Sequence, residues 1–121
     1  MANIEELSKA IGAHGLWKMR LKTMIDTGKF DTPIETIRMD DHCAFGEWLY
    51  GATITPKEKT TTHYKTVKEL HAEFHKTAAR VAEFAAAGNK AAAERMLGNG
   101  GEFAAISTKL VNAIMAWKKE Y

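Results

Sequence analysis

The sequence predicts an all-α protein, an antiparallel four-helix bundle with three long helices and one short helix that carries the cysteine. Apolar residues recur at helical spacing over three long stretches, and no stretch alternates apolar with polar residues as a strand does. At 121 residues the chain is long enough to bury a core, so we expect a single domain over residues 1–121.

The composition argues against several classes of protein. The net charge of +2 is too small for a typical nucleic-acid-binding protein, and the basic residues are spread along the chain. The polar N-terminus is unlike a signal peptide, and every apolar run is shorter than a membrane span. A single cysteine excludes an internal disulfide and suits a reducing compartment. We therefore expect a cytoplasmic protein without nucleic-acid or membrane partners.

The first predicted helix begins after Asn3, a good N-cap residue, and ends near Thr27 and Gly28. His14 lies in its inward stripe, and a buried imidazole needs partners for its nitrogens. Taken alone, His14 is either a core histidine bonded to a nearby carbonyl or hydroxyl, or a metal ligand. The apolar members of the stripe are Ile4, Leu7, Ile11, Trp17, Leu21, Met24 and Ile25.

Residues 29–39 are predicted to form a connection, because Pro33 disfavours helix at the residue before it. A short helix is predicted over residues 40–51, opened by two aspartates and closed by a glycine. Cys43 is expected in its first turn, where free N–H groups and the helix dipole favour a thiolate. A lone cysteine is more typically a small buried apolar residue. Gly46, in the middle of this helix, predicts close packing of another element.

Thr55 and Pro56 form a strong helix start, and no helix breaker follows before Gly88. His71 and His75 fall within this predicted helix, four residues apart. That spacing places both imidazoles on one face, where both can reach one metal ion. The alternative is a pair of ordinary helix residues, one at the edge of the core and one in solvent.

The last predicted helix begins after Asn89 and is interrupted by the glycine-rich segment 98–101. We expect a kink or a loosened turn at this segment, and two separate helices are the alternative. Its inward stripe contains Met96, Phe103, Ile106, Leu110, Ile114 and Trp117.

Together these elements predict a metal site in the core of the bundle, where facing helices build such sites. Three imidazoles and one thiolate form a closed tetrahedral set that suits zinc better than magnesium or calcium. The predicted ligands are His14, Cys43, His71 and His75. Four protein ligands leave no open position for water, so we expect no hydrolytic enzyme. The other two histidines, His42 and His63, are predicted to lie on the surface.

Three blocks of the sequence resemble the chemoreceptor zinc-binding domain family, usually called CZB. The blocks are His14 with Trp17, the segment Cys43-Ala44-Phe45-Gly46-Glu47-Trp48, and the segment His71-Ala72-Glu73-Phe74-His75. They occur in the family's order and at similar spacing over residues 14–75. The last predicted helix is consistent with the family's closing helix.

This resemblance implies a four-helix bundle that binds one zinc ion through His14, Cys43, His71 and His75. It implies a bacterial sensory module rather than an enzyme, since similar domains occur in chemoreceptors and ahead of diguanylate cyclases. Members of the family are often homodimers, and some are proposed to sense hypochlorous acid through the zinc-bound cysteine. The resulting hypothesis is a regulatory module that senses zinc, and also oxidants, to control a signalling output.

Other interpretations of the same residues remain open. A structural zinc site in a small stand-alone interaction protein would keep its metal permanently. An iron site of the hemerythrin type would need carboxylates beside the histidines, and Glu47, Glu69 and Glu73 only flank the inward stripe.

The sequence carries no recognisable output domain. We expect either a stand-alone protein that acts on a partner or a sensor from a longer chain. Met1 before a capped helix suits a true start, so we expect any missing part to lie after Tyr121. A surplus of apolar residues on the outer faces of the long helices predicts a homodimer. These residues include Leu16, Met19, Val111 and Met115.

Overall fold

The computed structural model describes residues 4–30, 32–39, 43–98 and 100–120, which form six α-helices, one 3₁₀ turn and no strand. The all-α class predicted from the sequence is therefore confirmed. The helices are α1 Ile4–Thr27, α2 Ile34–Arg38, α3 Ala44–Tyr50, α4 Thr62–Ala86, α5 Lys90–Leu97 and α6 Glu102–Lys118, with the 3₁₀ turn at Glu58–Thr60.

Helix α1 ends where the sequence predicts. Gly28 follows its last residue with a φ of +70°, a backbone conformation that glycine adopts without steric cost. The Gly28 N–H donates to the carbonyl of Met24 at 2.9 Å and completes the last turn. The predicted N-cap, Asn3, lies outside the described residues.

The segment 29–39 contains a helix, so its prediction as a connection is wrong for α2. Pro33 is the N-cap of α2, and its carbonyl accepts from the N–H groups of Thr36 and Ile37, both at 3.0 Å. Proline restricts the residue before it and leaves the residues after it free to turn. Ile37 is buried in the core, and Arg38 pairs with Glu83 of α4, so packing fixes this short helix.

Cys43 is the N-cap of α3 rather than a residue of its first turn. The two aspartates predicted to open this helix, Asp40 and Asp41, lie outside the described residues. Gly46 is buried, as its place in the middle of the helix suggested. The hydroxyl of Tyr64 in α4 donates to the carbonyl of Leu49 at 2.8 Å, which holds the end of α3 against α4.

Helix α4 begins at Thr62, so the predicted start at Thr55 is wrong. The Oγ1 of Thr55 does accept from the N–H of Glu58 at 3.2 Å, but the element that follows is the 3₁₀ turn, whose N-cap is Lys57. Thr61 is the N-cap of α4, and its Oγ1 accepts from the N–H of Tyr64 at 3.3 Å. Gly88, with a φ of +81°, follows the helix end as predicted.

The predicted last helix is two helices, α5 and α6. Asn89 caps α5 as expected, since its Oδ1 accepts from the N–H of Ala92 at 3.2 Å. Gly101 is required at the break, because a Cβ there would lie 2.3 Å from the carbonyl oxygens of Arg95 and Met96. The expected kink or loosened turn is therefore wrong, and the alternative of two separate helices is confirmed.

Helix α4 is the centre of the fold and packs against α1, α2, α5 and α6. The largest fully buried side chains come from all of the longer helices: Leu7, Leu21, Met24, Phe74, Phe103, Leu110, Ile114 and Trp117. In the described part of the chain, no helix has both the length and the apolar composition that crossing a membrane requires.

Candidate metal centre

The four residues predicted as metal ligands lie together in the structure. One donor atom from each of them can be chosen so that all four atoms lie within 4.8 Å of one another. His14 comes from the middle of α1, Cys43 from the N-cap of α3, and His71 and His75 from adjacent turns of α4. The cluster therefore joins three helices that are far apart in sequence.

The cluster is buried in an aromatic shell. His14 and His75 are each 2% exposed and His71 is fully buried, whereas Cys43 is half-buried. The ring of Phe45 lies 5.1 Å from that of His71 between centroids, and the ring of Phe74 lies 4.9 Å from that of His14. An apolar surrounding strengthens electrostatic interactions inside the site and restricts the access of water.

The two histidines of α4 are in contact within the cluster. Their Nε2 atoms are 3.1 Å apart, and the Sγ atom of Cys43 lies 3.3 Å from Nε2 of His71. Nε2 of His71 therefore contacts both of the other atoms, and three atoms that could bind a metal lie close together.

Two of the imidazoles are oriented by backbone carbonyls. Nδ1 of His14 donates to the carbonyl of Ala10, one turn earlier in α1, at 2.7 Å. Nδ1 of His75 donates to the carbonyl of Ile37 in α2 at 2.9 Å. Metal-binding histidines commonly donate their second nitrogen to such an acceptor, which fixes the tautomer and leaves the other nitrogen for the metal.

The thiol of Cys43 is held by its own helix. Its Sγ accepts from the N–H of Gly46 at 3.3 Å, which makes the side chain the cap of α3. An N–H donor at the start of a helix stabilises negative charge on sulfur. This contact therefore favours the thiolate, which is the form of cysteine that binds metals.

The electrostatics of the cluster favour neutral imidazoles. Burial lowers the pKa of His14 to about 4, although its hydrogen bond to the Ala10 carbonyl acts in the opposite direction, and His75 lowers it further. Burial also lowers the pKa of His71 to about 2, with contributions from His75 and His14. Both rings are therefore neutral at pH 7, which is the form that donates a lone pair to a cation.

The donor set fits a zinc ion. Two nitrogens bound tetrahedrally to one zinc at about 2.0–2.1 Å lie about 3.4 Å apart, and the Nε2 atoms of His71 and His75 are 3.1 Å apart. Nitrogen and thiolate donors without carboxylates suit zinc rather than the oxygen-binding cations. The group contains no carboxylate among the described residues, and Glu47, Glu69 and Glu73 are exposed, so it does not match an iron site of the hemerythrin type.

A cavity of about 280 Å³ opens beside the cluster and reaches Cys43 and His75. Its other lining residues are Trp17, Arg20, Thr32, Thr36, Ile37 and Met39. The guanidinium of Arg20 stacks 3.8 Å from the ring centroid of Trp17 and donates to Thr32 at 3.2 Å. Among the described residues, this cavity therefore adjoins the thiol side of the cluster.

The remaining histidines lie elsewhere. His63 is at the first turn of α4, where its Nε2 lies 3.2 Å from a carboxylate oxygen of Glu120 near the end of the chain. It does not belong to the cluster of donor atoms. His42, predicted to lie on the surface, is outside the described residues.

Sequence reasoning missed the groups that orient the cluster. The carbonyls of Ala10 and Ile37 are backbone atoms, and neither residue type signals their role. The one signal available for Ala10 was its position four residues before His14, because a side chain in a helix can reach the carbonyl one turn earlier. Nothing in the sequence near Ile37 indicates that its carbonyl meets His75.

Comparison with known families gives one match. The sequence profile of the family described as CZB, chemoreceptor zinc-binding domain, matches residues 14–82. The matched segment begins at His14 and contains Cys43, His71 and His75. No curated protein and no solved structure gave a significant match to the chain.

Proposed function

The chain belongs to the chemoreceptor zinc-binding domain family, and from this premise we propose that it is a sensory module that binds one zinc ion. The ligands in this proposal are His14, Cys43, His71 and His75. The observation that carries it is the convergence of their four donor atoms within 4.8 Å, in a chain whose family is zinc-binding. Four protein donors leave no position for a substrate, which supports a binding role rather than catalysis.

The proposed ligands divide unevenly among the helices. When bound, zinc supplies a cross-link between their donor atoms and requires the cysteine as a thiolate. His71 and His75 both belong to α4, whereas His14 belongs to α1 and Cys43 caps α3. The loss of the ion would thus release α1 and α3 from α4 while leaving α4 itself intact.

This arrangement gives a physical basis for signalling. A ligand shifts a conformational equilibrium only as far as its affinities for the two states differ. Zinc would favour the state in which α1 and α3 are held against the histidines of α4. The output, in a partner or in a signalling domain of the chemoreceptor or diguanylate cyclase type, would respond to the release of these two helices.

Oxidant sensing is the finer part of the proposal. Cys43 is the oxidisable ligand, it is half-buried, and the cavity beside it opens toward solvent. Hypochlorous acid would oxidise the sulfur of the thiolate to the sulfenic acid with release of chloride, and the sulfur would then bind zinc less well. Release of zinc by a stoichiometric amount of hypochlorous acid supports this part, and retention of zinc under those conditions would refute it.

We also propose that residues 1–121 form one domain in which α1, α4, α5 and α6 make an antiparallel four-helix arrangement. The sequence predicted the short helix that carries the cysteine as the fourth member, and α5 takes that place in the proposed arrangement. The packing of α4 against α1, α5 and α6 supports that arrangement. The cytoplasm is the proposed location, on the strength of the single cysteine that must remain reduced to bind zinc.

A homodimer is a further part of the proposal. Leu16 and Met19 on α1 are 58% and 68% exposed, and Met115 on α6 is 45% exposed. Val111, also on α6, is half-buried. Large exposed apolar side chains on packed helices favour a second copy as the covering surface. A dimer mass in light scattering at micromolar concentration, lost in Leu16→Glu, supports this assignment, and a wild-type monomer refutes it.

The decisive experiment is the metal content of protein purified without added metal. We expect about one zinc per chain in the wild type and none in the double variant His71→Ala, His75→Ala. His63→Ala is the matched control, since His63 lies on the same helix outside the cluster. Little metal in the wild type, or zinc retained by the double variant, would refute the assigned site.

Exchange with a strong chelator separates a sensor from a structural zinc site. A sensor must lose zinc on the timescale of its signal, whereas a structural ion would stay bound during prolonged exposure to the chelator. Retention for many hours at neutral pH would favour the structural interpretation over the proposed one.

A further inference from the structure

The three buried imidazoles of the metal centre differ in what their Nδ1 atoms contact. Nδ1 of His14 lies 2.7 Å from the Ala10 carbonyl oxygen, and Nδ1 of His75 lies 2.9 Å from that of Ile37. Nδ1 of His71 is just as buried but has no hydrogen-bond partner in the described part of the chain. His71 therefore lacks the acceptor that fixes the tautomer of the other two rings.

The positions of the protons in the metal-free cluster follow from these contacts. A carbonyl oxygen only accepts hydrogen bonds, so Nδ1 carries the proton in His14 and in His75. In a neutral ring whose Nδ1 donates, the other nitrogen is a lone pair, so Nε2 of His75 is an acceptor. Nε2 of His71 lies 3.1 Å from this acceptor, so the proton between the two atoms belongs to His71.

The contact with Cys43 is compatible with this assignment. Its Sγ lies 3.3 Å from the same Nε2 of His71, and a thiolate can only accept. With Nε2 protonated, Nδ1 of His71 is a lone pair. A buried acceptor without a donor accounts for the absence of a partner, and it costs less free energy than a buried donor without an acceptor.

A cation bound at Nε2 of His71 takes the lone pair of that atom, which then cannot carry a proton. A neutral ring must place its proton on the other nitrogen. We propose that His71 is the histidine of the metal centre that changes tautomer when zinc binds, from Nε2–H to Nδ1–H, while His14 and His75 remain Nδ1–H throughout. The Nε2 proton passes to water and Nδ1 takes one from water, so the ring stays neutral.

This inference rests on the proposed function, because it requires zinc to bind at the cluster. Its consequence is that zinc binding leaves one buried N–H group without a hydrogen-bond acceptor, which costs free energy. The Nδ1–H of His71 becomes a buried donor without an acceptor, whereas the other two rings keep their carbonyl partners. Of the three imidazoles, His71 is the one whose coordination is opposed by its surroundings, which favours the reversible binding that a sensor needs.

The test is a long-range ¹H–¹⁵N correlation spectrum of the full chain labelled with ¹⁵N-histidine, recorded at pH 7.5. This spectrum distinguishes the two neutral tautomers and the cationic form of each ring. One sample contains a chelator, and the second sample contains one equivalent of zinc. The chain has five histidines, and the variants His14→Gln, His42→Gln, His63→Gln, His71→Gln and His75→Gln assign their signals. If one variant fails to fold, the other four assign its signal by elimination.

We expect His71 to be Nε2–H in the metal-free sample and Nδ1–H in the zinc sample, with His14 and His75 unchanged. His63, which is half-buried and lies outside the cluster, is the internal control and should not respond to zinc. A metal-free His71 that is already Nδ1–H would overturn the inference, and so would an unchanged tautomer at zinc saturation.

Zinc content measured on the same samples separates the two proposals. Zinc uptake without a change at His71 refutes the tautomer change and leaves the zinc module standing. Absence of uptake refutes the proposed function and, with it, the tautomer change on binding.

Discussion

The two sides of α4 show different ways of filling a core. One side packs on α6 through apolar side chains, including Phe74 against Phe103 at 5.2 Å between ring centroids. The other side presents His71 and His75 to α1, α2 and α3, with polar atoms in contact at 3.1–3.3 Å. The first side makes apolar contacts, whereas the second brings together nitrogen and sulfur atoms that a cation could bind. We therefore expect the two sides to respond differently to mutation, metal and pH.

The largest expected effect lies on the apolar side. Phe103→Ala removes a fully buried ring and should lower the free energy of unfolding by about 3–5 kcal/mol, equally with zinc and with a chelator. Urea unfolding monitored by circular dichroism measures the loss, and Lys109→Ala on the exposed face of α6 is the control. A loss confined to one of the two metal conditions would contradict the independence of the sides.

The next effect concerns the thiol of the metal centre. At free zinc of about 100 times its Kd, binding should stabilise the wild type by about 2.7 kcal/mol. Zinc at the same concentration should stabilise the Cys43→Ala variant by less, because one of the four proposed ligands is absent. Its helical content should stay close to that of the wild type, because Cys43 lies outside the long helices. Equal zinc affinity in the wild type and Cys43→Ala would remove Cys43 from the site.

The pH dependence of the metal-free protein tests the histidine side. The pKa of His14 in the fold is about 4, below its ordinary value of 6.5, so below pH 6.5 the unfolded chain binds a proton that the folded chain does not. Stability is therefore fully present above pH 6.5 and declines as the pH falls toward 4. Between pH 6.5 and 5.5 the contribution of His14 is about 1 kcal/mol, and His71 acts in the same direction.

Urea unfolding in chelator at pH 7.5, 6.5 and 5.5 measures this decline. His14→Gln should reduce the slope between pH 6.5 and 5.5, whereas Lys109→Ala should leave it unchanged. Stability that is constant or rises as the pH falls over this interval would contradict the neutral, buried state of His14.

The smallest effect is expected at His63, which belongs to α4 but lies outside the cluster of donor atoms. His63→Ala removes an exposed contact with Glu120 and should change stability by less than about 0.5 kcal/mol. Zinc content should remain that of the wild type. Loss of zinc in this variant would show that membership of the cluster does not decide which histidines metal binding requires.

The sequence predicted local features best. The end of α1 at Gly28 and the cap of α5 at Asn89 depend on the conformational and hydrogen-bonding properties of single residues, and both are confirmed. The spacing of His71 and His75 predicted that they share one face of the helix, and both are buried on α4. The alternative with one of the two histidines in solvent is therefore wrong. One face of a long helix is wide enough to bury both histidines.

Features that depend on packing were predicted less well. Thr55 and Thr61 carry the same local cap signal, and only their surroundings decide which of them begins the long helix. The five residues of α2 are too few to form a helix alone, and Ile37 orders them by entering the core. The contact between the Ile37 carbonyl and Nδ1 of His75, which fixes the tautomer of that ring, also depends on packing and could not be predicted from the sequence.

The aromatic residues around α3 have an optical consequence. The ring of Phe45, in contact with His14 and His71, stacks on Trp48 at 5.6 Å between centroids, and Trp48 lies 5.7 Å from Trp117 of α6. Two indoles at this distance couple their electronic transitions and give a near-ultraviolet circular dichroism signal that depends on their mutual angle. A rotation of α3, which Cys43 caps, would change this angle, so this signal would report a movement of α3 without a label.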